Sequence, residues 1–381
     1  MTSSTASGTL PDHTRAAVVR EFGAPIGVEE VPVPPRVEAG GLLVEVVACS
    51  LCGTDVHCWE GSLALDIRLP LILGHEMVGR VVAIGEGADV DSVGQQLRIG
   101  DRVIWTHSFC GRCEMCTRKR PAMCLNRTAY GHVSMQEWPY LMGGFARHAY
   151  VLPGSGRVRV PEAVPDALAS MASCALRSVV NAVEQAGRVG PEHTVVVQGA
   201  GPLGILATGL FAQAGAGRVV TVGAPAARLE LATAFGADEV ISLEDTPDAA
   251  DRLERVRAAT GGLGADLVAE FSGHPAAFAE GVDMAGLGAR YLVVGQLGAG
   301  TTPVAPGTIT KKNLTVIGSF SGDVSHYHKA LTVLDRYAGR LPFDRLISGQ
   351  YPLDQVNAVI GRMQAFQEIK PVLLPGEETR S

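Results

Sequence analysis

Four of the eight cysteines form one cluster with the spacing C-x2-C-x2-C-x7-C, at Cys110, Cys113, Cys116 and Cys124. The residues between them are mostly polar and include a proline, so this segment is predicted to be a loop rather than a strand or a long helix. Short loops of this kind turn sulfur atoms toward one point, as a tetrahedral Zn²⁺ requires. The spacing therefore favours a structural zinc held by four thiolates, with a disulfide pair or a group of spare thiols as the alternatives.

A second possible metal site is distributed over three segments. Cys52 follows a predicted strand, His75 lies in a Gly-His-Glu sequence that leads into another strand, and Cys174 comes much later in the chain. Two cysteines and one histidine can hold a catalytic zinc and leave its fourth position open. Because buried cysteines are common, the spacing alone leaves open both a metal site and ordinary buried side chains.

A glycine-rich turn follows the apolar run Thr194–Gln198 and precedes a helical pattern over 205–214. Its sequence is Gly199-Ala-Gly201-Pro202-Leu203-Gly204, a G-x-G-x-x-G between a strand and a helix. In this context the first glycine permits the tight turn, the second lets the backbone approach a pyrophosphate, and the third lets helix and strand pack closely. The free N–H groups of the helix N-terminus then face the phosphates. The turn predicts a dinucleotide site.

The acidic residue that holds the adenosine ribose in many such sites is missing. The next predicted strand ends in Gly223, and no carboxylate appears before Glu230, whereas Arg228 lies a few residues beyond the strand. Without the carboxylate, a ribose 2′-phosphate meets no repulsion, and a nearby arginine can pair with it. This favours NADP(H) slightly. The alternative is that Arg228 caps a helix and that NAD(H) binds through backbone groups.

The chain has 381 residues, a length that suits two domains, and it shows two different sequence patterns. From about 16 to 159, short β-type runs alternate with glycine and proline turns, which predicts an irregular, mainly antiparallel β domain. From about 165 to 318, helices alternate with apolar strands, which predicts a parallel sheet of the α/β class. Six strands are predicted there: 194–198, 219–222, 239–242, 266–270, 290–294 and 314–318. A helix and the strand 371–374 follow, and this strand could return to the first domain.

The net charge of −7 argues against nucleic acid or an anionic membrane as a partner, because binding phosphates needs concentrated positive charge. The first residues contain no apolar run typical of a signal peptide, and no segment reaches the roughly 18 consecutive apolar residues that span a bilayer. With cysteines spaced as for zinc, the reducing cytoplasm is the expected compartment.

Taken together, these segments resemble the zinc-containing medium-chain alcohol and polyol dehydrogenases over nearly the whole chain. The matching segments occur in the family's order, and they are Cys52-Gly-Thr-Asp-Val-His57, Gly74-His-Glu-Met-Val-Gly79-Arg-Val-Val, Gly100-Asp-Arg-Val103, the four-cysteine loop, Gly143-Gly-Phe-Ala146, the glycine-rich turn and Arg228-Leu-Glu-Leu-Ala232. The resemblance implies a GroES-like, mainly β catalytic domain with a Rossmann doubly wound parallel sheet. We expect residues 1–14 to be flexible, 15–175 and 320–381 to form the catalytic domain with a zinc lobe near 107–126, and 176–319 to bind the dinucleotide.

The resemblance also assigns roles to single residues. It makes Cys52, His75 and Cys174 the ligands of a catalytic zinc, beside a structural zinc in the four-cysteine lobe. The supporting residues are Glu76 as an alternative ligand or neighbour of the metal, Asp55 as the carboxylate that orients the histidine, Thr54 and His57 as a proton relay, and Lys370 as a group that meets the cofactor pyrophosphate. Gly53 resembles the polyol branch of the family, whereas that branch often has glutamate in place of Cys174, so the subfamily signals conflict.

The activity implied is hydride transfer between NAD(P) and a small secondary alcohol or polyol, or the matching ketone or aldehyde. Sequence does not choose the direction. A non-catalytic nucleotide-binding relative is one alternative, and a zinc-independent quinone or enoyl reductase is another. The second of these would not need Cys52, His75 and the four-cysteine lobe. A homodimer or a homotetramer is expected.

Overall fold

The computed structural model describes residues 10–63, 67–298 and 300–377. The flexible segment expected over 1–14 falls mostly on residues outside this part of the chain. Its last two residues, however, belong to a strand. That strand begins at His13, which pairs with Pro32 of the next strand.

The N-terminal part of the chain is built mainly from strands, as its short β-type runs predict. The strands are β1 (His13–Val19), β2 (Gly27–Pro32), β3 (Leu42–Ser50), β4 (Leu71–Ile72), β5 (Glu76–Ile84), β6 (Arg102–Ser108), β7 (His148–Val151) and β8 (Ser155–Arg159). The helices are α1 (Gly53–Glu60), α2 (Glu114–Thr117) and α3 (Asp166–Met171), and a π-helical turn follows at Ala172–Leu176.

Helices and strands alternate in the next part of the chain. They are α4 (Arg177–Ala186), β9 (Thr194–Gln198), α5 (Pro202–Gln213), β10 (Arg218–Gly223), α6 (Ala226–Ala234), β11 (Glu239–Ser242), α7 (Ala249–Ala259), β12 (Ala265–Glu270), α8 (Pro275–Met284), β13 (Ala285–Val293), α9 (Pro306–Lys312) and β14 (Thr315–Gly318). The six strands form one parallel sheet in the order β11-β10-β9-β12-β13-β14. This order reverses direction beside β9, which is the arrangement of a doubly wound dinucleotide fold. The predicted fold class is confirmed.

The last elements of the described chain are α10 (Val324–Tyr337), β15 (Ile347–Pro352), α11 (Val356–Gln364) and β16 (Lys370–Leu374). As expected, the final strand joins the N-terminal β structure, where it runs antiparallel to β3 and pairs Val372 with Ser50. A seven-stranded sheet results, with the path β15-β16-β3-β5-β6-β8 and with β7 also paired to β3.

The chain divides into two compact units. The first contains residues up to 177, 322–336 and those from 346 onward, and the second contains 178–321 and 337–345. Residues 337–345 lie in the second unit, whereas the sequence leads us to expect them in the catalytic domain. This segment belongs to the second unit because Phe343 packs edge-to-face on Phe235 at 5.9 Å between ring centroids. Sequence periodicity does not reveal such a contact.

Each unit has its own apolar core. In the first unit, the inward faces of β1, β3, β5 and β7 pack together, and residues such as Leu42, Val44, Phe145 and Tyr150 are fully buried. In the second, Val196, Val220 and Val268 of neighbouring parallel strands are fully buried, as expected for a sheet covered on both faces. Over the described residues, no helix combines the length and the apolar character needed to cross a membrane.

Candidate active site

The first site residue, Cys52, lies between the end of β3 and the start of α1. It is the N-cap residue of that helix, and its backbone is extended. Asp55, in the first turn of the helix, accepts a hydrogen bond from the backbone N–H of Cys52 at Oδ2, with an N–O distance of 2.9 Å. A carboxylate is favoured at this end of a helix because it satisfies a free N–H group and complements the helix dipole. The position of Cys52 is therefore fixed by the start of α1.

The same carboxylate orients His75. Its second oxygen, Oδ1, accepts from the N–H of Gly74 at 3.2 Å and lies 3.1 Å from Nδ1 of His75. Asp55 is only 1% exposed. Burial by itself raises the pKa of Asp55, but the charge of His75, the hydrogen bonds from His75 and Cys52 and the charge of Lys370 together lower it. An ionised carboxylate only accepts, so Nδ1 carries a hydrogen, and Nε2, 3.1 Å from the Sγ of Cys52, is the ring atom left for a metal.

Cys174 reaches the same histidine from the π-helical turn. Its sulfur, the His75 ring and the Glu76 carboxylate provide potential ligand atoms that all lie within 4.8 Å of one another. π-helical turns are rare and occur frequently at functional sites, because the wider turn changes the direction of a side chain. The structure thus brings Cys52 and Cys174 each beside His75.

Lys370, which the resemblance links to the cofactor pyrophosphate, lies beside Glu76 in this site. Its ammonium group is completely buried, 2.6 Å from Oε2 of Glu76, which is also completely buried. Burial alone lowers the pKa of Lys370, but the facing carboxylate of Glu76 raises it. A buried charge needs a partner of opposite sign, and Lys370 has one in Glu76. Within the described chain, the Glu76 oxygens accept no hydrogen bond apart from this ion pair.

These groups fit a divalent metal ion of intermediate softness. Two sulfurs, the Nε2 of an imidazole and a nearby carboxylate form a donor set that suits Zn²⁺. The pKa of His75 supports the fit. Burial lowers it, but Asp55, Cys52 and Cys174 raise it well above its usual value. Negative groups that favour a proton on Nε2 favour a metal cation at the same atom.

The two residues expected to relay a proton lie on α1. Thr54 is half-buried, and His57 follows it by three residues, so the two side chains are on the same face of the helix. The His57 side chain is 60% exposed, and its Nδ1 is 3.3 Å from the hydroxyl of Ser62. This arrangement leads from the interior toward solvent.

The four-cysteine lobe is a second candidate metal centre. All four sulfurs lie within 4.8 Å of one another, and the separations Cys113–Cys116, Cys110–Cys124 and Cys113–Cys124 are 3.5, 3.5 and 3.8 Å. Zn–S bonds of about 2.3 Å place the sulfurs of a tetrahedron roughly 3.8 Å apart, whereas a disulfide needs about 2.05 Å. All four thiols are free. A hydrogen bond from Asn126 lowers the pKa of Cys110 to about 6, toward the thiolate that a metal requires.

The glycine-rich turn in the second unit has the predicted form. Gly199 adopts a φ of 110°, and a Cβ added to Gly204 would lie 1.8 Å from the carbonyl oxygen of Gly199, so glycine is required at both positions. A Cβ added to Gly201 would meet nothing within 4 Å. The glycine at 201 is not needed by the fold itself, and its freedom leaves the backbone open to a ligand. Pro202 and Leu203 start α5 and are half-buried.

Packing explains why β10 ends in glycine. A Cβ on Gly223 would lie 2.6 Å from the Cβ of Ala200 and 2.7 Å from its backbone nitrogen. An acidic side chain is therefore excluded at the end of this strand. Arg228 follows in the first turn of α6 and is half-buried, and burial lowers its pKa.

The sequence analysis missed Arg177. It is 3% exposed, and its Nη2 donates to the sulfur of Cys174 at 3.7 Å. The spacing of three residues, close to one helical turn, was the available signal. His132 was missed as well; its ring centroid lies 5.9 Å from that of His75. Burial and the charge of His75 lower the pKa of His132 to about 4, so this ring is neutral near pH 7.

Comparison with known proteins agrees with this geometry. Residues 38–162 match the model of the alcohol dehydrogenase GroES-like domain, and 202–336 match that of the zinc-binding dehydrogenases. The 5-exo-hydroxycamphor dehydrogenase of Pseudomonas putida is 36% identical over 365 residues, which cover 95% of this chain and 98% of that protein.

Two solved structures are similar over nearly the whole chain. An alcohol dehydrogenase from Thermotoga maritima superposes with a TM-score of 0.88 at 30% identity, covering 95% of this chain and 99% of its own. A zinc-binding dehydrogenase from Sinorhizobium meliloti 1021, solved with NADP bound, has a TM-score of 0.81 at 27% identity and covers 96% and 100%. The chain belongs to the zinc-containing medium-chain alcohol dehydrogenase family, and it is an oxidoreductase of alcohols.

Proposed function

We propose that the protein is a zinc-dependent dehydrogenase that transfers hydride between NADP(H) and a secondary alcohol, with Cys52, His75 and Cys174 as ligands of the catalytic zinc. One observation carries the proposal. The Asp55 carboxylate holds Nδ1 of His75, so that Nε2 faces the sulfur of Cys52, and Cys174 and Glu76 lie beside the same ring. The relative from Pseudomonas putida is named for a secondary alcohol.

When bound, Zn²⁺ supplies a Lewis acid that lowers the pKa of a hydroxyl group, and a nicotinamide ring supplies the hydride acceptor. The chain supplies orientation and a route for the proton. Asp55 fixes the tautomer of His75, and it fixes the backbone of Cys52 through the same carboxylate. Thr54 would accept the proton from the substrate hydroxyl and pass it along α1 toward His57, whose exposed ring exchanges protons with solvent.

Glu76 and Lys370 would keep the local charge balanced. Their ion pair is neutral as a whole, so the buried carboxylate adds no net negative charge beside the ligands. The four-cysteine lobe would hold a second, structural zinc, because its sulfurs leave no open position for a substrate.

Metal analysis of three proteins tests this assignment. The wild type is expected to contain two zincs per chain and to oxidise secondary alcohols. Cys174→Ser is expected to contain one zinc and to be inactive, and Cys113→Ser is expected to lose the other zinc instead. Both variants are expected to bind the nicotinamide cofactor. A wild type with a single zinc, which only Cys113→Ser loses, would contradict the catalytic site and favour a zinc-independent reductase. Two zincs and bound cofactor without turnover on any alcohol would favour a non-catalytic relative.

The preference for NADP(H) is supported by the end of β10. Gly223 excludes an acidic side chain there, and Arg228 lies in the following turn. A charge-assisted hydrogen bond contributes about 1.5–3 kcal/mol, so Arg228→Ala is expected to weaken NADPH binding roughly 10- to 150-fold and to leave NADH binding unchanged. Arg255→Ala, which removes the same charge from an ion pair with Glu239, is the matched control. Equal losses for both cofactors in Arg228→Ala would contradict the assignment.

Assembly and compartment belong to the same proposal. β14 is the edge strand of the six-stranded sheet, and Val316 on it is 42% exposed. An exposed edge strand is available for pairing with a second copy, which favours a homodimer or a homotetramer. Light scattering on the purified protein decides between them and a monomer.

Four free thiols at zinc spacing favour the reducing cytoplasm.

A further inference from the structure

Arg177 makes three contacts around one metal-ligand candidate. Its Nη2 donates to the Sγ of Cys174 at 3.7 Å, its Nε donates to the carbonyl oxygen of Ser173 at 3.3 Å, and its guanidinium carbon lies 5.5 Å from the ring centroid of Tyr327. Arg177 is 3% exposed and Tyr327 is 2% exposed. A buried guanidinium held on three sides has one fixed position, and here that position faces a sulfur.

The surrounding chain is shaped to admit this arginine. A Cβ added to Gly322 would lie 3.3 Å from the Cδ of Arg177, so glycine at this position leaves room for the arginine stem. The arginine lies at the end of the π-helical turn that carries Cys174. The turn therefore presents the sulfur and the guanidinium toward each other.

Charge favours a thiolate as the partner of Arg177. The guanidinium of Arg177 is charged, because an arginine side chain does not lose its proton in proteins. The Glu76 carboxylate already has Lys370 at 2.6 Å. The sulfur of Cys174 lies in hydrogen-bond contact with the guanidinium of Arg177. An adjacent guanidinium stabilises a thiolate, and hydrogen bonds to a cysteine sulfur tune the metal that it ligates.

We propose that Arg177 is a positioning residue of the catalytic metal site, which withdraws electron density from the Cys174 thiolate by an N–H···S hydrogen bond and so makes the bound metal a stronger Lewis acid. This inference rests on the proposed function, because it needs Cys174 to be a metal ligand. It differs from a role in substrate binding. Two of the guanidinium N–H groups already point to Ser173 and Cys174, and one face of the group covers Tyr327.

The test uses the cobalt-substituted enzyme without substrate or cofactor. Thiolates bound to cobalt give a charge-transfer absorption band. The difference between the bands of the wild type and of Cys174→Ser is the contribution of the catalytic site. In Arg177→Gln this contribution is expected to move to longer wavelength, because a sulfur that loses a positively charged donor releases its electrons more easily. Arg177→Lys keeps the positive charge but lacks the planar guanidinium group. Its band is expected at a wavelength between those of the wild type and of Arg177→Gln. With the zinc enzyme, kcat is expected to fall roughly 10- to 100-fold in Arg177→Gln, with KM nearly unchanged and partial recovery in Arg177→Lys.

Arg252→Gln is the control for removing a buried arginine. Arg252 is 8% exposed and pairs with Glu280 at 2.7 Å in the second unit, so its loss should reduce stability and leave the band in place. A band that stays in place in Arg177→Gln overturns the inference, as does a large rise in KM at constant kcat, which would make Arg177 a substrate ligand. If Arg177→Gln does not fold, Arg177→Lys decides, and an unchanged band refutes the proposal. A wild type whose band Cys174→Ser does not alter would refute the catalytic zinc site itself.

Discussion

Replacing Asp55 by asparagine removes the negative charge and one of the two oxygens but keeps the size and shape of the side chain. In the wild type, one oxygen accepts from the N–H of Cys52, and the other accepts from Gly74 and faces Nδ1 of His75. An amide of the same size keeps one oxygen. We expect that oxygen to stay with Gly74 and His75, because an NH2 group on that side would face two donors. The N–H of Cys52 then faces the amide nitrogen and loses its acceptor.

The expected cost follows from this geometry. One buried N–H without an acceptor costs about 1–3 kcal/mol of stability. Loss of the carboxylate also weakens the orientation of His75, and changes in such supporting groups typically reduce metal affinity about 10- to 100-fold, or roughly 1.4–2.8 kcal/mol. We therefore expect Asp55→Asn to fold, to retain the zinc of the four-cysteine lobe, and to release the catalytic zinc to a chelator at a concentration 10- to 100-fold lower than the wild type.

Asp91 offers a closely matched control. It is 6% exposed, one of its oxygens accepts from the N–H groups of Val93 and Gln95 at 2.9 and 2.8 Å, and the other accepts from that of Arg159 at 3.0 Å. Asp91→Asn should lose similar stability by the same count of donors and should keep both zincs. Chelator titration with metal analysis compares the variants. Equal zinc retention in Asp55→Asn and Asp91→Asn would refute the proposed role of Asp55.

Three further predictions concern other parts of the chain. Gly201→Ala is expected to leave the melting temperature unchanged and to weaken nicotinamide binding at least roughly tenfold. In Gly204→Ala the new Cβ would lie 1.8 Å from a carbonyl oxygen, so this variant should lose about 1–3 kcal/mol of stability. Thermal melts and cofactor titrations show whether the two effects separate. Asn126→Ala removes the hydrogen bond to the Cys110 sulfur and should weaken zinc binding in the lobe about 10- to 100-fold, with the catalytic zinc unchanged in the same chelator assay. The pKa of Glu368 is lowered, because hydrogen bonds from Ser348, Tyr351 and Arg362 together outweigh the effect of burial. The contribution of Glu368 to stability is therefore present above about pH 4.5 and is lost as the pH falls through the folded-state pKa. Urea unfolding at several pH values should show a shallower loss of stability below pH 4.5 in Glu368→Gln than in the wild type, and identical curves would contradict this.

Local features of the sequence predicted the parts of the structure that local chemistry determines. The four-cysteine lobe and the turn from Gly199 to Gly204 are short segments in which spacing alone brings the groups together. The parallel sheet was also predictable, because buried strands that alternate with helices have few other ways to pack. The structure confirms the fold. Each of the six predicted strands of the parallel sheet overlaps an observed strand, although β13 begins at Ala285, five residues before its predicted start.

Features that depend on distant partners were not predictable in this way. Lys370 meets Glu76 because β16 lies beside β3, and no local pattern indicates that pairing. Arg177 faces Tyr327, which is far away in sequence. The absence of an acidic residue at Gly223 was visible in the sequence, but its cause, the close approach of Ala200, needed coordinates. Side chains from remote segments decide the electrostatics of the candidate site, and a single sequence does not specify which of them meet.

The position of β16 also has a consequence for biosynthesis. Ser50 at the end of β3 and Lys370 at the start of β16 belong to one sheet, yet roughly 300 residues are translated between them. At about 5–20 residues per second, a ribosome needs roughly 15–60 s for that distance. For most of this interval the Glu76 carboxylate has been synthesised without the ammonium group that balances it. The nascent catalytic unit must therefore wait, partly assembled, while the entire nucleotide-binding unit is synthesised and can fold ahead of it.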